Sequence, residues 1–355
     1  MNRTPLLAAA ALALSACTPD FAPASMVDKL RLLAIQAEPP EIEPADVGTA
    51  APDRATLTSL VLRADLDAES ARTTTVVHLA CVPVPGSPAP LPCVMLATLR
   101  DPAAAIAAGA QQACSAGAGA DSGAPWPAIE LAGLEVCVGA TCGPAVVGGM
   151  PLPPAQVAVP SGFAFPLQGP ERILGVQAVV LAFALEATPD ELVAGVGTSC
   201  PAGDVAANLA RLWPAREHVL STKRVQIRGP DAPDEPNRNP KLDGIRAGST
   251  DLLDPGIVTT LVSGEISLTA VPVGEPELYT KLDAAGVPIE SAREEWVYSW
   301  FSTAGELDAL HTRGGEADAW TVAAGAPGTR AVVVAVVRDL RGGTAWAVRD
   351  VTIAP

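Results

Sequence analysis

The run AVVVAVVRDLRGGTAWAVRDVTI, residues 331–353, decides the fold class. Two stretches dense in β-branched residues, AVVVAVVRD (331–339) and TAWAVRDVTI (344–353), flank Leu340-Arg341-Gly342-Gly343. β-Branched side chains suit a pleated, half-buried surface, and paired glycines supply the backbone freedom that a tight reversal needs. The run therefore predicts a hairpin. Upstream, EEWVYSWFS (294–302) and EISLTAV (265–271) read as two further strands. Spaced strands without a sustained helical period predict a β-sandwich over residues 241–355.

Before that region lies GPDAPDEPNRNP (229–240), with four prolines in twelve residues and almost no apolar surface. Residues 230–240 are expected to be an extended, semi-rigid linker. The other half, 27–229, again reads as strands: RLLAIQAEPPEIEP (31–44), ATLTSLVLRADL (55–66), TTTVVHLACV (73–82), ERILGVQAVVLAFALEA (171–187) and KRVQIRG (223–229). A second sandwich is expected there, interrupted at 83–165 by an irregular insertion that opens with five prolines in ten residues. Inside the insertion, Asp101-Pro102 followed by AAAIAAGAQQAC predicts a capped helix stopping at Gly117. Another excursion, 188–213, opens on Thr188-Pro189-Asp190-Glu191, a capping box.

Length and charge bound the function. A chain of 355 residues is long for one core, which agrees with two domains. Its formal charge of −16 argues against nucleic acid and anionic lipid headgroups as partners. Apart from Cys17 there are six cysteines, Cys81, Cys93, Cys114, Cys137, Cys142 and Cys200, all before the proline-rich linker. An even number in an exported chain reads as disulfides, with several connectivities open. Cys137 and Cys142, close in sequence, form the best single pair.

Export itself is read from the beginning of the chain. Arg3 precedes LLAAAALAL (6–14), then small Ser15 and Ala16, the layout of a secretion signal over 1–16. Nine apolar residues rise about 13 Å as a helix, too little for a bilayer core of about 30 Å. Leu14-Ser15-Ala16-Cys17 resembles the lipobox of bacterial lipoproteins. The resemblance implies cleavage before Cys17, lipidation of Cys17, a short tether over 17–26, and, from Thr18, residence in the outer membrane. Further along, Tyr298-Ser299-Trp300-Phe301 with Gly305, and Val337-Arg338-Asp339 with Gly342-Gly343, resemble the core strand and last hairpin of PKD-type immunoglobulin-like domains. LRLLAIQAEPPEIEP (30–44) and NRNPKLDGI (237–245) are similar to surface lipoproteins of myxobacteria. These resemblances imply an all-β chain of two immunoglobulin-like β-sandwiches, the first with a disulfide-linked, partly helical insertion.

Catalytic signals are sparse. His78, His218 and His311 are the only imidazoles and lie far apart in sequence. Neither HExxH nor GxxxxGK[ST] occurs, and Gly197-Thr198-Ser199-Cys200-Pro201 misses GxSxG at its last position. Asp65, Asp67 and Glu69 alternate like calcium ligands, but an EF-hand needs glycine at its sixth position and an acid where Val76 stands. Asp231, Asp234, Glu235, Asn237, Asn239 and Asp243 in and beside the linker are candidate calcium ligands of the kind that stiffens a junction between sandwiches. Glu290, Glu294 and Glu295 make no recognisable acid/base pair. Trp296, Tyr298 and Trp300 share one strand face, either core or a platform for stacking sugars. The expected function is non-catalytic, without a cofactor. It is surface display, adhesion or envelope assembly, with the membrane held through lipid and an envelope protein or polysaccharide as partner. The alternatives are a carbohydrate-binding module and, behind it, a hydrolase.

Overall fold

The computed structural model describes residues 24–44, 53–63, 73–82, 101–116, 128–159, 167–197, 199–323 and 329–354. They form mostly β-sheet, in several sheets, as expected. The signal segment, Cys17, Asp65, Asp67, Glu69 and Cys93 lie outside the described residues.

The N-terminal unit carries β1 (Arg31–Glu38), β2 (Glu41–Ile42), β3 (Asp53–Leu62), β4 (Thr74–Val82), β5 (Ala128–Val138) and β6 (Thr141–Pro144). It continues with β7 (Val146–Val147), β8 (Met150–Pro151), β9 (Gln156–Val159), β10 (Val176–Glu186) and β11 (His218–Ile227). Here the two-sheet sandwich is not what forms. One sheet runs β1-β3-β6-β5-β4-β10-β11-β2, with β9 also on β3. β1 and β2 are separated only by Pro39-Pro40, yet they occupy opposite ends of that order, so the sheet rolls round on itself. Its inner face packs Val76, Ala80, Ala178, Val180, Ala182, Val225 and Ile227. On the outer face, Val77, Leu79, Leu181, Phe183 and Leu185 meet helices. These are α1 (Pro102–Ala116), α3 (Pro189–Val193) and α4 (Pro201–Leu212), whereas the short α2 (Glu171–Leu174) precedes β10. Both helix starts are capped as the sequence predicts. Ala104 N donates to Asp101 Oδ1, and Thr188 and Glu191 exchange side-chain and backbone bonds.

In the segment 83–165, the described strands β5, β6 and β9 join the main sheet. Its β5 lies mid-sheet between β4 and β6. Glycine disguised it: Gly133, at φ +148°, breaks the alternation of ELAGLEVCV where a Cβ would meet the Ala155 backbone at 2.6 Å.

The C-terminal unit is a sandwich. β12 (Lys241–Ala247), β13 (Thr250–Leu252), β14 (Thr259–Val262), β15 (Gly264–Val273), β16 (Leu278–Leu282) and β17 (Pro288–Arg293) come first. β18 (Val297–Ser302), β19 (Glu306–Leu307), β20 (His311–Arg313), β21 (Asp318–Val322), β22 (Thr329–Arg338) and β23 (Thr344–Ala354) follow. Two sheets, β13-β12-β15-β21-β19 and β14-β23-β22-β18-β20, enclose Ile245, Leu268, Tyr298, Trp300 and Trp320. β16 and β17 form a separate two-stranded ribbon. The predicted hairpin joins β22 to β23, and Asp339 Oδ1 accepts from Arg341 N and Gly343 N, both at 2.8 Å.

A third core joins the units. β22 sends Ala331, Val333, Ala335 and Val337 into the sandwich, and Val332, Val334 and Val336 outward onto Leu33, Ala34, Leu60 and Leu62 of β1 and β3. Both faces of the strand are thus buried, which explains the unbroken apolar run AVVVAVV. Each such valine or leucine contributes about 1.5–3 kcal/mol relative to exposure. Residues 230–240 therefore do not space two independent domains. They lie along a junction that is already closed.

Trp300 is fully buried, and its Nε1 donates to Thr312 Oγ1 at 2.9 Å. Trp300→Ala is expected to cost about 3–5 kcal/mol in chemical denaturation, through a cavity and an orphaned hydroxyl. An unchanged denaturation midpoint would place the indole in solvent.

Candidate functional site

The rolled sheet does not seal completely. β11 pairs with β10 along its whole length but with β2 only at Gln226 and Ile227. Opposite the unpaired stretch, β1 changes register between Leu32 and Ala34. The β22–β23 turn, where Leu340 takes a positive φ of 64°, projects into this seam. What remains is a cleft of about 340 Å³ between the units. Leu33–Ile35, Ser221–Arg224, Arg338, Leu340 and Gly342–Thr344 line it.

Two cations cross the junction in opposite directions. Lys223 Nζ, from the N-terminal unit, donates to Gly342 O (2.5 Å) and Thr344 Oγ1 (3.1 Å). Arg338, from the C-terminal unit, donates through Nη2 to Leu33 O and through Nη1 to Ser299 Oγ, both at 3.0 Å. Burial pushes the Lys223 ammonium down to about 8, against the pull of Asp339 and with some help from Arg338. Burial lowers Arg338 as well. The sequence shows Arg338 in the last-hairpin motif and Lys223 in the strand KRVQIRG, and marks neither as a site residue. The available signal was Lys223-Arg224 inside a strand of an acidic chain that has only four lysines.

The calcium candidates are spread over separate bonds. Asp231 pairs with Arg172 (2.6 Å), and Asp234 accepts from Thr280 N (2.7 Å) and Oγ1 (2.9 Å). Asn237 bonds Glu41 and Asp339, and Asn239 bonds Ala37 O, Glu38 and Thr344 N. The Asp243 carbonyl accepts from Arg349. The linker's side chains thus bond chain to chain, apart from Asn237 Oδ1, which is buried without a hydrogen-bond partner, and no group of three or more His, Cys, Asp or Glu side chains able to hold a metal occurs among the described residues.

His78 does gather polar partners. Its Nε2 lies 2.8 Å from Glu135 Oε2 and 3.2 Å from Ser59 Oγ, on three strands of the rolled sheet. All three residues are buried, His78 completely. A serine–histidine–acid relay needs hydroxyl and carboxylate on opposite ring nitrogens. Here both meet Nε2, and Nδ1 has no partner, so the arrangement is an interior hydrogen-bond network rather than a nucleophile. His218 stacks on Trp213 at 3.9 Å, and His311 Nδ1 bonds Ser299 Oγ at 3.0 Å. Glu290, Glu294 and Glu295 pair separately with Lys281, Arg341 and Arg313. Burial raises the Glu294 carboxyl.

Trp296, Tyr298 and Trp300 are all buried, which removes them as a sugar platform. Cys137 and Cys142 are bonded to each other across β5 and β6. Cys81 and Cys200 are disulfide-bonded too, and the Cys114 side chain lies outside the described residues.

No family model and no curated protein matches the chain. Among solved structures, Salmonella alpha-2-macroglobulin reacted with methylamine matches 92% of this chain at 11% identity and a TM-score of 0.24. Trypsin-activated alpha-2-macroglobulin from Escherichia coli matches 92% at 9% identity and a TM-score of 0.20. The chain spans only 16% and 18% of those proteins, and at such scores the likeness carries no argument.

Lys223 makes a pH prediction with a definite sign. From about 8 when folded to 10.5 when free, only the unfolded chain holds this proton. The contribution of Lys223 to stability is therefore complete above 10.5 and is lost as the pH falls to about 8. Denaturation midpoints of wild type and Lys223→Met should diverge across that window, the wild type gaining with pH. A pH-independent difference would put the amine in water.

Proposed function

We propose that this chain is a non-catalytic envelope lipoprotein, anchored through Cys17, in which two fused β units form a stiff body for display, adhesion or assembly. One observation carries the reading: the segment arriving from the expected tether is sewn into the junction between the units. Met26 bridges to Ser302, Val27 N donates to Ser302 O at 2.8 Å, and Ser302 N donates to Ser25 O at 3.0 Å. Val27 is fully buried in the core shared by both units. An anchor joined there holds both units at one fixed attitude to the surface.

The C-terminal unit is, in this reading, an immunoglobulin-like domain. The order β12-β15-β21 corresponds to strands A-B-E, and β14-β23-β22-β18 to A′-G-F-C. β14 runs parallel to β23, and buried Trp300 stands on the strand equivalent to C. The N-terminal unit, with its single rolled sheet and outer helices, is not assigned to that class.

Membrane fractionation and in-cell cross-linking test the proposal. Cys17→Ala protein should leave the membrane fraction after a high-salt wash. A photo-cross-linker placed at exposed Ile289 on the β16–β17 ribbon should capture another envelope macromolecule in intact cells. Membrane retention of the variant, or turnover in a hydrolase screen that is lost on His218→Ala, would defeat it.

A further inference from the structure

We propose that the cleft between the two units binds a small ligand bearing an oxyanion, either a carboxylate or a phosphate ester. Most arginines among the described residues stand within ion-pair distance of a carboxylate. Lys223, Arg224 and Arg338 do not, although all three line one cleft in a chain of net charge −16. Lys223 and Arg338 are half-buried, and a partly desolvated cation without a directly paired carboxylate is stabilised by an anion brought to it.

The carboxylate whose charge reaches Lys223, that of Asp339, acts from beyond ion-pair distance and turns its oxygens to other donors. Asp339 Oδ1 is held by Arg341 N and Gly343 N, and Oδ2 by Asn237 Nδ2. Donors are nevertheless left over. Lys223 uses two bonds of an ammonium that has three N–H groups, and Arg338 uses two of a guanidinium that has five. Exposed Arg224, next to Lys223 on β11, also lines the cleft and carries a guanidinium of the kind that binds oxyanions. Ser221, Thr222 and Thr344 contribute hydroxyls, and Leu33, Ile35 and Leu340 an apolar wall. The volume of about 340 Å³ suits one small molecule, at the lower end of ligand sites of roughly 300–1,000 Å³. Because the lining comes from both units, a bound anion also cross-links them.

Titration calorimetry of the whole mature chain tests this with inorganic phosphate, glucuronate and, as a neutral control, glucose. Phosphate or glucuronate should bind saturably and glucose should not. Binding of phosphate alone identifies a phosphoryl ligand, of glucuronate alone a carboxylate, and of both a general oxyanion site. Lys223→Met and Arg224→Ala should each weaken binding about tenfold or more. Arg224 is exposed, so its variant should keep the wild-type melting temperature and remain a valid test if Lys223→Met does not fold. No heat from either anion at about 10 mM, or affinities unchanged in both variants, would overturn the proposal.

Discussion

Val332, Val334 and Val336 pack against Leu33, Ala34, Leu60 and Leu62, and the rest of the architecture depends on that contact. It leaves β1, β3 and β22 with apolar residues on both faces, and so places each of them inside the molecule rather than at its surface. It positions the β22–β23 turn in the seam of the rolled sheet, which creates the cleft. It also leaves the linker little to do mechanically. Asn237 and Asn239 are free to clasp both units by hydrogen bonds instead of spanning a gap.

Much of this was legible in the residues. The hairpin at 340–343, the strands around Trp300, the caps at Asp101 and Thr188 and the Cys137–Cys142 pair all rest on local chemistry, and local chemistry is what a sequence displays directly. What was hidden is non-local. Whether strands close into two sheets or one depends on which edges meet, and β5 reaches mid-sheet only through pairings with β4 and β6. Gly133 breaks the alternation that would mark β5 as a strand. The valine run of β22 did carry a clue, since a strand of a freestanding sandwich would alternate.

The candidate site was the least legible feature. Lys223 and Arg338 lie 115 residues apart and meet only through the junction. In the acidic linker, Asp231 pairs with Arg172, Asp234 with Thr280, and Asn239 Oδ1 accepts from Thr344 N. The interior His78 network likewise has the residue types of a catalytic relay without its geometry. Residue types alone misdirect here; connectivity around each atom decides.

If the shared core governs the molecule, the two units must unfold together. Scanning calorimetry of the whole chain, with disulfides intact, reads this directly. One transition is expected, with calorimetric and van't Hoff enthalpies that agree. Two resolved transitions, one for each unit, would contradict it.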